Sequence, residues 1–338
     1  MADAGGATRT RGWIGLIFVL LTMLLGGYLA NAWHLLGRPL DRQGAAQVVE
    51  VKPGESLEKI RRCLIADGLL SSKAPLLQWA RLTGRDRRVR SGFYELSPAQ
   101  SPREIMEVLV RGQMLQVRVT IREGLTLSQT IACLAEALEE PYESFQEAAS
   151  DSIWMRSLAI PAASLEGYLY PETYQFELGA SPRTVLGAMV HACLDWFVGE
   201  RQRQADSLGL SLHQVLTMAS IIEAETAVSD ERPRISAVYH NRLRRGWLLQ
   251  ADPTVAYALG RIGERLWQRD LEVDSPYNTY KYKGLPPGPI CSPGLESIDA
   301  ALQPLEGCRD LYFVARGDRT HVFSRTLKAH NRAKHSLR

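Results

Sequence analysis

An uncharged apolar segment near the N-terminus constrains the fold of this chain more than any other feature. From Trp13 to Ala32 no residue is charged, and arginines flank the segment on both sides. About 20 helical residues span the hydrocarbon core of a bilayer, and aromatic residues at the ends of such a helix are typical of the membrane interface. We therefore predict a transmembrane anchor over residues 13–33.

The alternative to an anchor is a cleavable signal peptide, because Ala30-Asn31-Ala32 has the small-x-small form of a cleavage site. The apolar segment is longer than the roughly 7 to 15 apolar residues of a signal peptide, which favours the anchor. Arg9 and Arg11 favour a cytoplasmic tail over residues 1–12. We expect a single-pass protein of the cytoplasmic (inner) membrane, with the rest of the chain on the outer, periplasmic side.

Composition and cysteine spacing exclude several functional classes. The chain has 338 residues, of which 45% are hydrophobic and 23% are charged, as in folded proteins with room for two domains. The net charge is only +3 and no basic stripe alternates with aromatic residues, so we predict no nucleic-acid partner. The five cysteines form no Cys-x-x-Cys pair, which argues against a zinc site and a dense disulfide framework. One disulfide remains open.

After the apolar segment, the chain begins with a predicted tether and a small strand–helix module. Residues 34–47 show no periodic pattern, which indicates the tether. The valine-rich segment Gln47–Lys52 predicts a strand, and Ser56 follows as the cap of an amphipathic helix. Ser101-Pro102-Arg103-Glu104 combines a capping box with a proline at the first helical position, and therefore predicts another helix start.

The same local order of strand, glycine turn and capped helix recurs from Val117 onward. We treat it as a recurring local solution and not as a duplication. The predicted fold class is therefore α+β, with a small strand–helix subdomain over residues 48–115 and a larger α+β domain over residues 116–338.

The segment Gln214–Thr226 is an apolar run that ends in two carboxylates. Its length and its leucine, methionine and alanine content predict a helix. Glu223 and Glu225 lie on opposite flanks of the apolar face of this helix, so only one of them can enter a given groove. A carboxyl group beside an apolar wall has a raised pKa, which suits the general acid of glycosidic cleavage. The alternative is that both acids form a solvated helix end.

Another helix is predicted over residues 232–245, and a β-hairpin is predicted near the C-terminus. In the helix, Tyr239 faces inward, whereas the arginines, Arg242 among them, form a solvated face. His321 lies in the second strand of the hairpin. We expect it to make a structural hydrogen bond, because no Ser or Cys nucleophile context surrounds it.

Two turn-rich segments present tyrosines together with polar side chains. Ser164–Phe176 crowds three tyrosines and two glutamates around a glycine and a proline, and Ser275–Tyr280 supplies phenol and amide groups. Such groups on loops suit sugar recognition, whereas the alternative is packed loops whose tyrosine hydroxyls are satisfied internally. Asp252, which precedes Pro253, is expected to expose its carboxylate, with helix capping as its alternative role.

Several motifs, taken in order, carry a family resemblance. They are LEGYLYPETY at 165–174, ASIIEAET at 219–226, LQADPT at 249–254, YNTY and GLPPG within 277–288, and YFVA and HVF within 312–323. Together they resemble the YceG-like family of membrane-anchored endolytic murein transglycosylases. The likeness extends from about Val48 to the end of the chain, and the apolar N-terminal segment fits it.

This resemblance implies an activity and an arrangement of domains. Residues 48–115 would form a LysM-like subdomain, and residues 116–338 a YceG-like catalytic domain. The implied enzyme is a lyase that cleaves the bond between N-acetylmuramic acid (MurNAc) and N-acetylglucosamine (GlcNAc) within nascent peptidoglycan strands. It leaves 1,6-anhydroMurNAc ends and terminates glycan elongation. The implied partners are peptidoglycan strands and cell-wall synthases (penicillin-binding proteins), and no cofactor or metal is implied.

The resemblance also points to site residues. By similarity the catalytic acid is Glu225, directly before Thr226, with Glu223 as the fallback. One acid suffices, because it protonates the leaving oxygen and then takes the proton of the muramyl C6 hydroxyl as the anhydro ring closes. Substrate contacts are predicted at Gln250, Asp252, Tyr277 and Asn278, with Glu166 and Tyr168 as neighbours.

Two other functions stay open at this point. A hydrolase would use Asp252 or Glu166 as a second acid that activates water, and it would leave reducing ends. A glycan-binding scaffold would dock cell-wall synthases without turnover. The chemical nature of the strand ends after incubation distinguishes these functions from a transglycosylase.

Overall fold

The structure is a computed structural model, and it describes residues 6–158, 160–161 and 163–337. The chain is a mixed α+β protein with small two-stranded sheets, which confirms the predicted fold class. It divides into two compact units. The first contains residues up to 117 together with 177–179, and the second contains residues 118–176 and 180 to the C-terminus.

The N-terminal apolar segment is helical. Helix α1 spans Gly6–Gly37, and its apolar part, Leu16–Gly37, has 22 residues and a mean hydropathy of 1.8. This part is long and apolar enough to cross a membrane, and its most apolar stretch is not buried against the protein. Of the tail predicted for residues 1–12, residues 1–5 lie outside the described residues, and α1 continues at its other end into the predicted tether.

The first unit is built on one antiparallel strand pair. Its elements after α1 are β1 (Gln47–Val51), α2 (Leu57–Ala66), α3 (Leu76–Leu82), β2 (Gly92–Leu96) and α4 (Pro102–Arg111). Gln47 lies opposite Leu96, and Val51 lies opposite Gly92. Alternate strand residues such as Val49 and Tyr94 point into a core that also contains buried residues of all three helices.

The start of α4 shows why local sequence predicted this unit. The Ser101 hydroxyl accepts a hydrogen bond from the Glu104 backbone N–H, and Glu104 Oε2 accepts one from the Ser101 backbone N–H at 2.7 Å. Pro102 occupies the first turn, as predicted. At the other end, Gly112 takes the left-handed conformation with φ 67°, which a residue with a Cβ rarely adopts. Sequence signals at both ends therefore fixed this helix.

The rest of the chain is mainly helical. Its elements are β3 (Gln116–Thr120), α5 (Leu127–Leu138), α6 (Tyr142–Ser150), α7 (Ser152–Ser157), β4 (Thr173–Glu177), α8 (Pro182–Trp196), α9 (Glu200–Leu208), α10 (Leu212–Glu225), α11 (Arg232–Arg244), α12 (Asp252–Ala258), α13 (Leu295–Leu302), β5 (Tyr312–Ala315), β6 (His321–Ser324) and α14 (Leu327–Ser336). Strand β3 pairs with β4. Strands β5 and β6 form the predicted antiparallel hairpin, in which Ala315 lies opposite His321.

Helix α10 is the central element of the second unit. Every residue from Val215 to Ile222 is buried, because α9, α11, α12 and α13 all pack against this helix. A capping box between Ser211 and Gln214 begins the helix. Its last residue is Glu225, and Thr226 then turns to extended backbone with φ −145°. The core thus fixes the position of a carboxylate at the point where the helix ends.

Candidate active site

Glu225 is the acid that the fold places in a cavity. Its side chain is half-buried, and its Oε1 accepts a hydrogen bond of 2.5 Å from the Tyr239 hydroxyl. Burial raises the pKa of Glu225 to about 7, and the charge of Asp252 adds to this, whereas the Tyr239 hydrogen bond and the Arg242 charge oppose it. A sizeable fraction of Glu225 is therefore protonated at neutral pH, as a general acid requires.

Two cavities meet at Glu225. The first has a volume of about 440 Å³ and the second about 490 Å³, and both are lined by Glu225 and Asp252. Further lining residues of the first cavity include Gly124, Ala224, Ala256, Ile262, Ile290 and Cys291. Those of the second include Arg242, Gln250, Tyr280, Tyr312, His321 and Lys334. We call the two together the groove. It extends to both sides of the acid.

Glu223 occupies a different environment. Its side chain is only 9% exposed, and Oε1 lies 3.4 Å from an Arg232 guanidinium nitrogen. Oε2 accepts hydrogen bonds from the Ser297 hydroxyl at 2.7 Å and the Gly294 backbone N–H at 3.1 Å. Glu223 thus links α10 to α11 and α13, and both of its oxygens are already paired. The two acids lie on opposite flanks, as predicted, and neither belongs to a fully solvated helix end, because Glu223 is buried against Arg232 and Glu225 is half-buried against Tyr239.

Helix α11 supplies two residues that the sequence interpretation missed. Tyr239 is 1% exposed, and its ring packs edge-on against Phe313. Arg242 was predicted on a solvated face but is only 8% exposed, because its guanidinium donates to the carbonyl oxygens of Leu249 and Leu311, each at 2.7 Å. Their i, i+3 spacing puts both side chains on one face of the helix. This spacing is the sequence signal that could have placed Arg242 beside the inward-facing Tyr239. Together they surround Glu225 with a hydrogen-bond donor and a positive charge.

Two of the predicted substrate contacts lie in the groove. Asp252 is the first residue of α12, and its Oδ1 accepts a hydrogen bond of 2.5 Å from the Tyr280 hydroxyl. Gln250 has a positive φ of 53°, and its side-chain oxygen accepts a bond from Arg242 at 3.3 Å. The sequence LQADPT therefore places both side chains beside Glu225.

Asn278 and Tyr277 hold the loop that carries Tyr280. The Asn278 side chain is fully buried, and its amide donates to the carbonyl oxygens of Leu271 and Val273. Its Oδ1 accepts from the Tyr280 backbone N–H at 2.9 Å, so it positions a groove tyrosine without lining either cavity itself. The Tyr277 ring packs on Tyr257 with centroids 4.9 Å apart, also outside the groove lining.

Glu166 and Tyr168 lie away from Glu225. Tyr168 is fully buried, and its hydroxyl lies 2.9 Å from His213 Nδ1. Glu166 lines a third cavity of about 580 Å³, where its oxygens accept hydrogen bonds from the Leu127 backbone N–H and the Tyr257 hydroxyl. Burial raises the pKa of Glu166 to about 7. The third cavity shares the lining residue Ile262 with the first. Glu166 therefore lines a cavity next to the groove and does not line the groove itself.

His321 makes the expected structural contact. Its Nδ1 lies 2.7 Å from Glu231 Oε2, and its backbone N–H donates to Glu231 Oε1. Among the residues that the structure describes, no three His, Cys, Asp or Glu side chains come together as metal ligands. Independently of this, the raised pKa of Glu225 suits its carboxyl group to proton transfer.

Comparison with known proteins agrees with the motifs. The model of the YceG-like family matches residues 49–336. The chain is 31% identical to the endolytic murein transglycosylase of Bacillus subtilis (strain 168), over 92% of this chain and 90% of that protein. It is 28% identical to the protein of the same name from Streptococcus pneumoniae (serotype 2), over 89% of this chain and 60% of that protein.

A solved structure shows the same relationship. A crystal structure of a yceG-like protein from Listeria monocytogenes superimposes with a TM-score of 0.60 at 34% identity, and covers 86% of this chain and 99% of that chain. This likeness and the family match confirm the resemblance that the motifs indicated. The chain belongs to the YceG-like family.

Proposed function

We propose that this protein is a membrane-anchored endolytic lytic transglycosylase of peptidoglycan. It is a lyase that cleaves the MurNAc–GlcNAc bond within nascent strands, leaves 1,6-anhydroMurNAc ends and thereby terminates strand elongation. One observation carries the proposal, namely a carboxyl group with a pKa of about 7, Glu225, in a groove that extends to both sides of it. The names of the Bacillus and Streptococcus relatives support the same reaction.

The proposed reaction uses Glu225 twice. The protonated carboxyl donates its proton to the oxygen that bridges C1 of MurNAc and C4 of GlcNAc, and the C1–O bond breaks. The C6 hydroxyl of the same MurNAc then attacks C1, and its proton passes to the Glu225 carboxylate. A new C1–O6 bond closes the 1,6-anhydro ring and the acid returns to its starting state. The nucleophile lies in the substrate, so no water is consumed.

Residues around Glu225 support both halves of this cycle. The Tyr239 hydroxyl holds Oε1 and stabilises the carboxylate that forms when the proton leaves. Asp252, held by Tyr280, adds negative charge beside C1, where positive charge develops as the bond breaks. Gln250 is positioned to contact sugar hydroxyls or acetamido groups from the second cavity.

The shape of the groove supports attack within a strand. Because both cavities are lined by Glu225, sugars can occupy positions on each side of the bond that is cut. The third cavity, which shares the lining residue Ile262 with the first, offers further surface nearby. A site for trimming strand ends would need a wall on one side of the acid, so this geometry favours an endolytic enzyme.

A two-carboxylate hydrolase is the second candidate, because Asp252 lines the same cavities as Glu225. Glu166 does not fit this role, since it lies in the third cavity with both oxygens paired. A scaffold without turnover fits less well, because binding alone does not require a carboxyl group with a pKa near 7 beside an open groove.

The anchor, first unit and partners complete the proposal. Helix α1 holds the protein in the cytoplasmic membrane as a single span, with the catalytic unit on the periplasmic side, where peptidoglycan lies. The small strand–helix unit acts as the LysM-like subdomain that the family resemblance implies. An enzyme anchored there meets strands as they emerge, which makes cell-wall synthases its expected partners.

Mass spectrometry of purified glycan strands after incubation tests the proposal. The unmodified protein should produce internal cuts with anhydromuramyl ends. Glu225→Gln should lower turnover by about 10² to 10⁴, whereas Glu223→Gln should retain most of the turnover of the folded protein. Reducing ends would establish the hydrolase, intact strands would establish the scaffold, and loss of activity only with Glu223→Gln would transfer the acid role to that residue.

A further inference from the structure

The two halves of the groove differ in charge. The second cavity is bounded by α14, which contributes Lys334 and His330, and by the side of α11 that carries Arg242. Lys334 is exposed, and neither Lys334 nor Arg242 forms an ion pair within the described residues. The hydrogen bonds of Arg242 go to carbonyl and amide oxygens, so its charge acts on the neighbouring Glu225 without an ion pair.

Two acids, Asp252 and Glu225, offset part of this charge, and both of them also line the first cavity. Asp252 accepts a hydrogen bond from Tyr280, and burial raises the pKa of Glu225 to about 7, so that this acid is only partly ionised at neutral pH. His321 is paired with Glu231. Lys334 and Arg242 therefore add positive charge to the second cavity that the first cavity does not share.

The first cavity is lined by several apolar side chains as well as by charged ones. Its walls include Ile262, Leu266 and Ile290, and its charged groups beside the two shared acids are Glu264 and Arg265. Glu264 is paired with Arg261 at 2.8 Å, and the Arg265 guanidinium lies over the Trp267 ring. This half presents no comparable excess of positive charge, and it suits the apolar faces of a neutral sugar.

The proposed substrate has the same asymmetry. GlcNAc is neutral, whereas MurNAc carries a lactyl-linked peptide that bears carboxylates. We propose, on the basis of the proposed function, that the second cavity holds the MurNAc whose ring closes, and that Lys334 binds the carboxylates of its peptide. GlcNAc on the other side of the cleaved bond then occupies the first cavity. The charge of the α14 wall thus sets the direction in which a strand lies across Glu225 and favours strands that still carry peptides.

The experiment compares two substrates for the full chain. One is glycan strands with uncrosslinked peptides, and the other is the same strands after an amidase has removed the peptides. The measured quantity is the ratio of kcat/KM on the first substrate to kcat/KM on the second. Lys334→Gln should lower this ratio by about two- to fivefold, as expected for an exposed charge pair. Lys334→Glu should lower it further, and added salt should reduce both effects.

Two variants control for unrelated effects. Lys328→Gln removes a charge from the same helix outside the groove lining, and should leave both rates at the level of the unmodified protein. Arg265→Gln removes a charge from the first cavity and should change the ratio less than Lys334→Gln.

The outcomes separate the inference from the proposed function. If the unmodified protein cleaves neither substrate, the proposed function fails. If it cleaves both but the ratio stays constant in both Lys334 variants, only the orientation is overturned. A ratio that falls with Arg265→Gln and not with Lys334→Gln would likewise overturn it, since the peptide would then lie in the first cavity.

Discussion

The Tyr239 hydroxyl donates a hydrogen bond to Glu225 Oε1 at 2.5 Å, from a ring that is almost wholly buried. One helix therefore supplies the acid and the next supplies the group that orients it. This bond stabilises the carboxylate and opposes the burial that raises the pKa of Glu225 to about 7. The balance between the two effects can be tested with variants of Tyr239 and Glu225.

Tyr239→Phe should move the pH profile of cleavage. Without the hydroxyl, the Glu225 carboxylate loses a donor, so the pKa of Glu225 rises and the alkaline limb of kcat/KM moves to higher pH. At the optimum, turnover should fall by about tenfold, because the acid is held less firmly. Tyr94→Phe removes a buried tyrosine hydroxyl in the first unit and should leave the profile in place. A profile that stays fixed in Tyr239→Phe would show that the hydroxyl does not tune the acid.

Glu225→Gln should stabilise the protein at alkaline pH. The folded-state pKa of Glu225, about 7, lies above the ordinary glutamate value of 4.5, so the folded state binds the proton more tightly than the unfolded chain. The contribution of this proton to the free energy of unfolding is therefore fully present below pH 4.5. It is lost as the pH rises through about 7, and the loss amounts to up to about 3 kcal/mol. Partial exposure of the side chain reduces this value. Glutamine cannot ionise, so the Glu225→Gln variant does not lose this stability at alkaline pH.

Thermal melting at pH 5 and pH 8 measures this effect. The Glu225→Gln variant should gain stability over the unmodified protein at pH 8, with a smaller difference at pH 5. Glu166→Gln is a matched comparison, since burial also raises the pKa of Glu166 to about 7. An equal difference at both pH values would contradict the raised pKa of Glu225.

Glu223→Ala should destabilise the protein while leaving the acid intact. It removes one of the two carboxylate partners of Arg232, whose side chain is 7% exposed and which also pairs with Glu296, together with the bonds from Ser297 and Gly294. We expect a loss of about 3 kcal/mol in the free energy of unfolding, measured by urea denaturation. Glu200→Ala breaks an exposed ion pair with Arg203 and should change stability by less than about 1 kcal/mol. Similar losses in both variants would refute the structural role of Glu223.

Gly167→Ala should disturb the first cavity through the backbone. Gly167 has φ 80°, and an added Cβ would lie 2.3 Å from Pro289 Cβ, next to Ile290 and Cys291 of the cavity lining. Strain and overlap together should cost about 2–4 kcal/mol, and turnover by the folded protein should also fall. Gly209→Ala shares the positive φ, but its Cβ meets no atom within 4 Å, so only the strain remains. Unfolding curves and initial rates of the two variants separate strain from overlap.

The sequence predicted those parts of the fold whose signals are local. The caps at Ser56 and Ser101 act within four residues, and the opposite placement of Glu223 and Glu225 follows from helix geometry alone. The acid could therefore be found from one segment, once the family motifs had indicated which of the two glutamates to choose.

The parts that the sequence did not predict depend on distant partners. Arg242 is buried because carbonyl groups of residues 249 and 311 surround it, and no local pattern shows that they are near. Asn278 is of a residue type that often contacts sugars, but its side chain makes its hydrogen bonds within its own loop. For such residues the choice between ligand and scaffold is made by tertiary packing, which propensity and periodicity do not report.

The hydrogen bond from Tyr239 occupies Oε1 of Glu225, and Oε2 accepts no bond from any residue that the structure describes. In the proposed reaction, Oε2 is then the oxygen that serves the departing sugar first and the incoming C6 hydroxyl second. The two cannot share it at one moment, so the severed strand has to move aside before the ring can close. The single available oxygen of Glu225 therefore fixes the order of the two steps. A strand that is slow to leave would delay ring closure in every turnover.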